Sequence, residues 1–216
     1  MFPKKENLTK YKVVFFDLDN TLYEYQTCHT YALDISLNEF SFWSKLDIDS
    51  LFIEYDLARK KVHHQLHGQA SSHSRLLYFK VMLENLNLNE YIDKAYDFHQ
   101  YYWSSFVEKM EWNPLAKNLI EELKSENVKL AIITDLTTDV QMLKIKKLKL
   151  SKYFFYIITS EEVGIEKPNR QIFEYALKMM NCNANEACLI GDNIKTDGGC
   201  QELGIDFFLV DNSTNN

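Results

Sequence analysis

After Trp112 the chain alternates short, wholly apolar segments with longer segments of helical periodicity. A similar apolar segment lies near the start of the chain, so that five strands are predicted: 12–16, 129–134, about 155–159, 187–191 and 205–210. Strands that are apolar along their whole length are buried on both faces, and helices between them make the connections of a parallel sheet. The pattern therefore predicts an α/β fold with a doubly wound, Rossmann-like parallel sheet.

The predicted helices between these strands have recognisable ends. Asn113 is a typical N-cap before Pro114 at the first helical position, and this helix is expected to run to about Ser125, with Asn127 as a left-handed stop. Three more helices are predicted in the same region: 138–149, 168–181 and 194–203, the last one ended by Gly204.

Residues 23–110 contain no proline and a single glycine, Gly68. The whole chain has 6 glycines and 3 prolines among 216 residues, and so few turn formers favour long helices over many short strands. Three series of apolar residues recur near helical spacing: Tyr31, Ile35, Phe42 and Leu46; Leu51, Tyr55, Ala58 and Val62; Leu76, Phe79, Leu83 and Leu86.

These series predict three to five helices in an all-α domain over residues 23–111. Acidic Asp47 and Asp49, just before Ser50, indicate the start of one of them. Residues 1–22 and 112–216 are then expected to form the Rossmann-like core, into which the helical domain is inserted as a cap. A polar tail follows from Asn212.

Charge and composition argue against several classes of partner. Lys+Arg 24 against Asp+Glu 31 gives a net charge of −7, which does not indicate a nucleic-acid or anionic-membrane partner. No apolar run approaches the about 18 residues of a membrane-spanning helix. The four cysteines contain no C-x-x-C pair, so free buried thiols are predicted in preference to disulfides. We expect a cytoplasmic protein, a monomer or homodimer, that acts on a small molecule.

Polar residues collect where the predicted strands end. The first strand leads into Asp17, Asp19 and Thr21. The other strands and the loops that follow them add a threonine, a lysine and further acids: Thr134, Asp135, Lys167, Asp192 and Asp197. In an open parallel sheet the ligand site lies beyond these carboxyl ends. Clustered carboxylates raise one another's pKa unless a cation compensates them, and Mg²⁺ is the hard divalent ion that prefers oxygen ligands.

The arrangement suits phosphoryl transfer. Asp17, at the tip of a strand, has a carboxylate that can attack an electrophile. Asp19 lies two residues on, on the same side of an extended chain, where it can donate and accept a proton. Mg²⁺ held partly by Asp17 and Asp192 would neutralise phosphoryl oxygens. Lys167 would stabilise developing charge and Thr134 would hydrogen-bond a phosphoryl oxygen. The hypothesis is an aspartyl-phosphate intermediate that water then hydrolyses.

Four motifs occur in a fixed order along the chain: D-L-D-N-T-L from Asp17, I-I-T ending at Thr134, E-K-P around Lys167, and G-D-N around Asp192 with Asp197. In these motifs the chain resembles the haloacid dehalogenase-like (HAD) hydrolase superfamily, in its phosphatase branch with an α-helical cap inserted after the first motif. The resemblance implies a Mg²⁺-dependent phosphatase acting on a small phosphomonoester, such as a nucleotide, a sugar phosphate or an organic acid phosphate.

The resemblance also implies a role for each motif residue. Asp17 would be the nucleophile and Asp19 the general acid and base. The metal ligands would be Asp17, the main-chain carbonyl of Asp19, and Asp192, with Asp197 in support. The phosphoryl group would be bound by Thr134, the main-chain amide of Asp135, and Lys167.

Two positions depart from the motifs of many relatives. Asn20 stands where glycine is common, a variant that leaves the chemistry intact. Asp135 stands where asparagine is frequent and adds a negative charge beside Thr134. Its side chain could instead turn away and cap the next helix, since Thr137 and Thr138 follow.

Other reactions and other proteins fit parts of the pattern. A phosphomutase would use the same residues but return the phosphoryl group to its substrate. Dehalogenases of this superfamily lack the second acid of the first motif, so Asp19 argues against that activity. A receiver-like phospho-acceptor module also places acids, a threonine and a lysine around Mg²⁺, but is shorter and has no D-x-D pair or helical insertion. A binding protein without activity is disfavoured because every chemical position is filled.

Several residues outside the motifs are interpreted as structural. His63 and His67 have metal-ligand spacing on one helix, but an exposed polar face is preferred, with a histidine or Arg75 facing the substrate as the alternative. Glu161 and Glu162 are interpreted as solvated or capping residues. The aromatic residues between Tyr91 and Phe106 are assigned to packing within the cap or to a domain contact, with an interface to a second copy of the chain as the alternative. A lysine series at the end of the helix over 138–149 is interpreted as a solvated face: Lys144, Lys146, Lys147, Lys149 and Lys152.

Overall fold

The computed structural model describes residues 1–210, and the predicted polar tail from Asn212 lies outside them. Its five strands are β1 Val13–Phe16, β2 Lys129–Thr134, β3 Tyr156–Thr159, β4 Ala187–Gly191 and β5 Asp206–Leu209. They form one sheet in the order β3-β2-β1-β4-β5, and every neighbouring pair is parallel. The predicted α/β fold with a parallel, Rossmann-like sheet is confirmed, with each strand close to its expected bounds.

The register of the sheet brings the ends of its strands together. The central strand, β1, pairs with Lys129–Ile132 of β2 on one side and with Ala187–Ile190 of β4 on the other. All four side chains of β1 are buried, as expected for a strand covered on both faces. Asp17 continues the pairing, because its main-chain N–H donates to the carbonyl oxygen of Ile190 at 2.9 Å. The residues that follow β1, β2 and β4 therefore leave the sheet at the same edge.

Helices fill most of the chain between the strands. In the described residues the α-helices are α1 Tyr25–Ser44, α2 Ile48–Gln65, α3 Arg75–Asn85, α4 Lys94–Lys109, α5 Pro114–Ser125, α6 Thr138–Leu148, α7 Ser160–Val163 and α8 Arg170–Met180. The described residues form two compact units: one contains residues 1–25 and 111–210, and the other is Gln26–Met110.

In the unit that contains the sheet, helix ends follow local capping chemistry. The Asn113 side chain accepts hydrogen bonds from the main-chain N–H groups of Leu115 and Ala116, which confirms the predicted start of α5. Asn127 has the left-handed φ of 60° expected after that helix. Helix α8 begins at Arg170, later than the predicted residue 168, because Asn169 is its N-cap.

The predicted helix over 194–203 is a shorter 3-10 segment, Asp197–Leu203, ended as expected by Gly204 with a φ of 84°. Two successive glycines, Gly198 and Gly199, make an α-helix here unfavourable. A Cβ at position 199 would lie 2.6 Å from the Cβ of Pro168 and 2.7 Å from its carbonyl oxygen, so only glycine allows this segment to pack so closely against the loop that contains Lys167.

In the helical unit, α2 buries the predicted face: Leu51, Tyr55, Ala58 and Val62. It begins where expected, because Asp47 accepts a hydrogen bond from the N–H of Ser50. The core of this unit is aromatic: the ring of Phe98 stacks on Phe40 at a centroid distance of 4.5 Å and contacts Phe79 at 5.8 Å.

The predicted face of α1 was wrong. Phe42 is 72% exposed, and Leu46 lies beyond the end of the helix. The buried face instead carries small residues beside two large ones: Cys28, Ala32, Ser36, Leu37 and Phe40. Ser36 is compatible with burial because its hydroxyl donates to the carbonyl oxygen of Ala32 at 2.7 Å. A face built on small and hydroxyl residues gives a weak hydrophobic pattern in the sequence.

The aromatic residues of α4 divide between core and surface. Tyr102, Trp103 and Phe106 are buried, as expected for packing residues, while Tyr96 and Tyr101 are exposed. The four cysteines are free thiols, as predicted, and Cys28, Cys188 and Cys200 are buried. Among the described residues, no helix combines the length and the hydropathy needed to cross a membrane.

Candidate active site

Three carboxylates meet at the edge of the sheet where β1 and β4 end. Asp17 follows β1, Asp192 follows β4, and Asp197 opens the 3-10 segment. One oxygen from each lies within 4.8 Å of the others. These three oxygens are therefore close enough together to converge on one divalent cation. The site is made of hard oxygen donors, the type that Mg²⁺ prefers.

Lys167 lies inside this group of acids. Its Nζ donates to Asp17 Oδ1 at 2.7 Å and to Asp197 Oδ1 at 2.6 Å, and it approaches the carbonyl oxygen of Ile133 at 3.3 Å. Burial by itself would lower the pKa of this lysine, but the charges of Asp17, Asp197 and Asp135 raise it well above its usual range. Lys167 therefore carries a permanent positive charge where a phosphoryl group would meet Asp17.

Two of the acids, Asp17 and Asp192, have raised pKa values. Burial, followed by the charges of Asp197, Asp192 and Asp19, raises the pKa of Asp17 well above its ordinary value, although Lys167 opposes the shift. Burial and the charge of Asp197 raise the pKa of Asp192 to about 6. Carboxylates held together in this way disfavour their own charged forms, which a divalent cation among them would reverse.

Gly191 makes room for Asp197. A Cβ at position 191 would lie 2.3 Å from Oδ2 of Asp197 and 2.6 Å from its Cγ. Asp197 is 1% exposed, and its Oδ2 also accepts a hydrogen bond from the main-chain N–H of Asn193 at 3.1 Å. The glycine of the G-D-N motif is therefore required by the close approach of a buried carboxylate.

The turn after β1 holds Asp17 in place. The hydroxyl of Thr21 donates to Asp17 Oδ2 at 3.1 Å, so both oxygens of Asp17 have a donor. Asn20 has a left-handed φ of 60°, a conformation that asparagine tolerates better than most residues. This backbone geometry explains why asparagine can replace the glycine common at this position, and the Asn20 side chain also accepts a hydrogen bond from the N–H of Tyr25 at 3.0 Å.

Thr134 is buried at the end of β2 and its hydroxyl is held from α6. Gln141, also buried, donates through Nε2 to Thr134 Oγ1 at 2.7 Å and to the carbonyl oxygen of Asp135 at 2.5 Å. The threonine oxygen accepts from Gln141, and its own proton is donated only at long range, to the carbonyl oxygen of Asp135 at 3.4 Å. This proton can therefore be redirected to a phosphoryl oxygen. Gln141 was not predicted from the sequence, since a single glutamine on a helix gives no distinctive signal.

Asp135 does not cap α6. Its Oδ1 accepts a hydrogen bond from the main-chain N–H of Lys167 at 3.0 Å and so ties the lysine loop to the end of β2. Burial raises the pKa of Asp135 to about 6, although the neighbouring Lys167 opposes that shift. The N-terminus of α6 is capped from a distance, because Glu161 accepts from the N–H of Thr138 at 2.7 Å, which is the capping role considered for Glu161.

Asp19 is held by two partners. Lys144 donates from α6 to both of its carboxylate oxygens at 2.8 Å, and the hydroxyl of Tyr23 donates to Oδ1 at 2.5 Å. Burial opposes ionisation of Asp19, but the charge and hydrogen bonds of Lys144, together with Tyr23 and Lys167, lower its pKa below the ordinary value. The interpretation of Lys144 as part of a solvated face was therefore wrong, because its side chain is fully buried, whereas Lys146, Lys147, Lys149 and Lys152 are exposed.

The histidines of the helical unit do not form a metal site among the described residues, where the aspartate group is the one cluster with suitable spacing. His67 is exposed, but His63 is half-buried, and its ring packs edge-on against His73 at 4.7 Å. Arg75 is buried with its guanidinium over the rings of Tyr102 and Trp103, each at 5.2 Å. Within this unit Arg75 is a packing residue, bound to the carbonyl oxygen of His73 at 2.7 Å.

A family model described as haloacid dehalogenase-like hydrolase matches residues 14–210. The chain belongs to this family. A ribulose-1,5-bisphosphate 5-phosphatase from Halopiger xanaduensis is 36% identical over 202 residues, which cover 93% of this chain and 84% of the relative. A glyceraldehyde 3-phosphate phosphatase from Methanothermobacter thermautotrophicus is 29% identical, over 92% of this chain and 85% of the relative.

Solved structures of the HAD family share the fold. The HAD-hydrolase YfnB from Bacillus subtilis, solved with bound magnesium, aligns with a TM-score of 0.72 at 21% identity, covering 95% of this chain and 91% of that one. The predicted membership of the HAD hydrolases is confirmed, and with it the enzyme class, a hydrolase of phosphomonoesters. The individual roles predicted for the motif residues remain predictions.

Proposed function

We propose that this HAD hydrolase is a Mg²⁺-dependent phosphatase that cleaves a small phosphomonoester through an aspartyl-phosphate on Asp17. The observation that carries the proposal is the position of Asp17, whose carboxylate contacts the buried Lys167 and lies within one group of acids with Asp192 and Asp197. The same place thus contains a carboxylate that can act as nucleophile, a lysine that can bind the transferred phosphoryl group, and oxygen ligands for a metal ion.

Mg²⁺ would be held by Asp17, Asp192 and the main-chain carbonyl of Asp19, with Asp197 in support, and would neutralise charge on the phosphoryl oxygens. An oxygen of Asp17 forms a bond to phosphorus while the bond to the leaving oxygen breaks. The protonated form of Asp19, which is the minor form at neutral pH because its pKa is lowered, donates a proton to that oxygen. Asp19 then takes a proton from water, whose oxygen bonds to phosphorus as the aspartyl bond breaks and releases phosphate.

Lys167 and Thr134 bind the phosphoryl group in this account. Lys167 keeps its charge throughout because three carboxylates raise its pKa, and the hydroxyl of Thr134 is oriented by Gln141. The main-chain amide of Asp135 would contribute a further donor. These groups stabilise charge on phosphoryl oxygens without moving, which is the condition for effective electrostatic catalysis.

The substrate class follows from the relatives. Among the relatives that align over most of the chain are phosphatases that act, by their names, on ribulose-1,5-bisphosphate and on glyceraldehyde 3-phosphate, and a pyrimidine 5'-nucleotidase. We infer a small phosphorylated metabolite of that class as the substrate here, with the helical domain over about residues 23–111 as a cap and the cytoplasm as the compartment. A cap that closes over bound substrate would exclude bulk water and disfavour a protein substrate.

A phosphate-release assay tests this proposal. The purified protein, given a panel of sugar phosphates, triose phosphates, nucleoside monophosphates and 4-nitrophenyl phosphate with Mg²⁺, should release phosphate from some of them and stop when the metal is chelated. Asp17→Asn should eliminate turnover because an amide is a poor nucleophile, while Asp139→Asn, the same change at an exposed position, should leave it intact.

The same assay separates the alternatives. Full activity of Asp17→Asn would exclude the covalent route. Phosphate that moves to a second position of the substrate, with none released, would indicate a phosphomutase, and a protein that accumulates phosphate without general turnover would behave as a receiver module.

A further inference from the structure

Lys144 is a fully buried lysine whose ammonium group reaches residues far away in the sequence. Its Nζ lies 2.8 Å from each carboxylate oxygen of Asp19, across 125 positions of the chain. The same Nζ lies 5.8 Å from the ring centre of Tyr23 and 5.9 Å from that of Tyr25, within the range of cation–π attraction. Three side chains of the segment that leaves β1 therefore surround one cation from α6.

The burial of this charge has an electrostatic cost. A lysine is almost never fully buried unless it is paired, and a buried ion pair is commonly no more stabilising than apolar side chains of the same volume. Apart from Gln141, the other buried residues of α6 are apolar: Val140, Ile145 and Leu148. What the lysine adds, and an apolar residue would not, is a fixed orientation of the Asp19 carboxylate.

The exposure of the two side chains shows from which direction this orientation is imposed. Lys144 has no exposed side-chain surface, whereas the side chain of Asp19 is 30% exposed. The lysine therefore holds the carboxylate from the protein interior and leaves its outer side accessible to a leaving group or to water. Tyr23 adds a second fixed donor on Oδ1.

We propose that Lys144 is a positioning residue for the reaction, which acts by holding the carboxylate of Asp19 in the orientation needed for proton transfer. This inference rests on the proposed function, in which Asp19 is the general acid and base. The contacts that place Lys144 go to Asp19 and to the rings of Tyr23 and Tyr25, so its effect is expected in turnover more than in phosphate binding.

The test is a double-mutant cycle on 4-nitrophenyl phosphate, with kcat and KM measured for Lys144→Met, Asp19→Asn and the double variant. Lys144→Met should lower kcat by about 10- to 100-fold, as misplacement of a reacting group does, with KM changed less than threefold. In the Asp19→Asn background the same substitution should have no further effect, because the carboxylate it positions is gone. Lys146→Met, the same change at an exposed position of α6, is the control and should match wild type.

Three results would overturn the proposal. The first is an unchanged kcat in Lys144→Met, and the second is a fall in kcat that is equally large when Lys144→Met is added to Asp19→Asn. The third is a loss of kcat/KM that comes from a higher KM instead of a lower kcat. If Lys144→Met does not fold, Lys144→Gln is measured in the same cycle, and failure of both to fold would assign the lysine a structural role instead. The proposed function fails separately, by full activity of Asp17→Asn or by absence of phosphate release from the wild type.

Discussion

Asp197 occupies its place at the site because the neighbouring strand ends in a residue without a side chain. Its carboxylate is buried, it binds Lys167 through one oxygen and the main-chain N–H of Asn193 through the other, and a Cβ at Gly191 would overlap it. At the scale of single residues, the site therefore depends on close contacts such as these, in which a buried charged side chain is held by hydrogen bonds from neighbouring groups.

This gives a prediction for Gly191→Ala. The added methyl should push Asp197 away from Lys167 and from the acid group, and we expect kcat/KM to fall by about 10- to 100-fold, with weaker activation by Mg²⁺. The measurement is a Mg²⁺ titration of phosphate release. Gly198→Ala is the matched control, because there a Cβ would meet mainly the end of the Ile194 side chain, at 2.8 Å from its Cδ1, and that side chain is exposed and able to move. Equal activity of the two variants would show that the position of Asp197 does not matter.

Prediction succeeded for residues whose positions are set by the ends of the strands. It failed for a residue whose position depends on how a helix packs against the sheet. Asp17, Asp192 and Asp197 follow strands whose ends must align, so their grouping could be expected from the strand pattern alone. Lys144 has no such signal: in the sequence it is one of several lysines near a helix end. Its burial depends on the face that α6 turns toward the sheet, which the sequence does not show.

At the scale of elements, α6 supports two motifs at once. Gln141 and Lys144 lie three residues apart on its buried face, and the first binds Thr134 while the second binds Asp19. Residues at this spacing share one face of a helix. A helix whose inward face is otherwise apolar therefore carries two polar side chains, each of which reaches a different motif of the site.

In the helical unit, a histidine on α1 links stability to pH. His29 Nδ1 lies 2.6 Å from the hydroxyl of Tyr102, and burial, followed by the charges of Arg75 and Arg59, lowers its pKa to about 4. Below its ordinary pKa of 6.5 the unfolded chain gains a proton at this position that the folded chain does not bind until about pH 4. Stability contributed by neutral His29 is therefore complete above pH 6.5 and is lost as the pH falls toward 4.

We predict that lowering the pH from about 7 to about 5 destabilises the wild type relative to His29→Gln, measured as the free energy of unfolding in urea titrations, because glutamine can still bond Tyr102 but does not titrate. His64→Gln, at an exposed position of α2, is the control and should keep the wild-type pH dependence. An unchanged pH dependence in His29→Gln would show that this histidine does not couple protonation to folding.

At the scale of the whole molecule, the order of strands and helices along the chain was more predictable than the side of each helix that is buried. The five parallel strands, their order of appearance and most helix ends followed from apolar runs and capping residues such as Asn113 and Asp47. The face of α1 did not, because its buried residues include the small side chains of Cys28, Ala32 and Ser36, whereas the large side chain of Phe42 is exposed. Secondary-structure propensity and helix capping depend on residues that are near in the sequence, whereas burial depends on which other elements a helix or strand packs against.

The fold assigns the family, but the reaction depends on a few residues at the edge of the sheet. The proposed chemistry requires that Asp17 accept the phosphoryl group and that Asp19 assist its removal. Replacing Asp19 by asparagine should slow the removal by about 10²- to 10⁴-fold. With 4-nitrophenyl phosphate, whose nitrophenolate leaves without a proton from Asp19, formation of the intermediate is slowed less than its removal, so that the intermediate on Asp17 accumulates.

The most direct measurement of the central claim is therefore mass spectrometry of the Asp19→Asn protein, quenched in acid shortly after it is mixed with Mg²⁺ and a substrate found in the phosphate-release panel. The account predicts a phosphoryl group on the peptide that contains Asp17, localised to that residue, and none when Asp17→Asn is added. Phosphate release with no modified peptide at any time, or a phosphoryl group on a different residue, would contradict it.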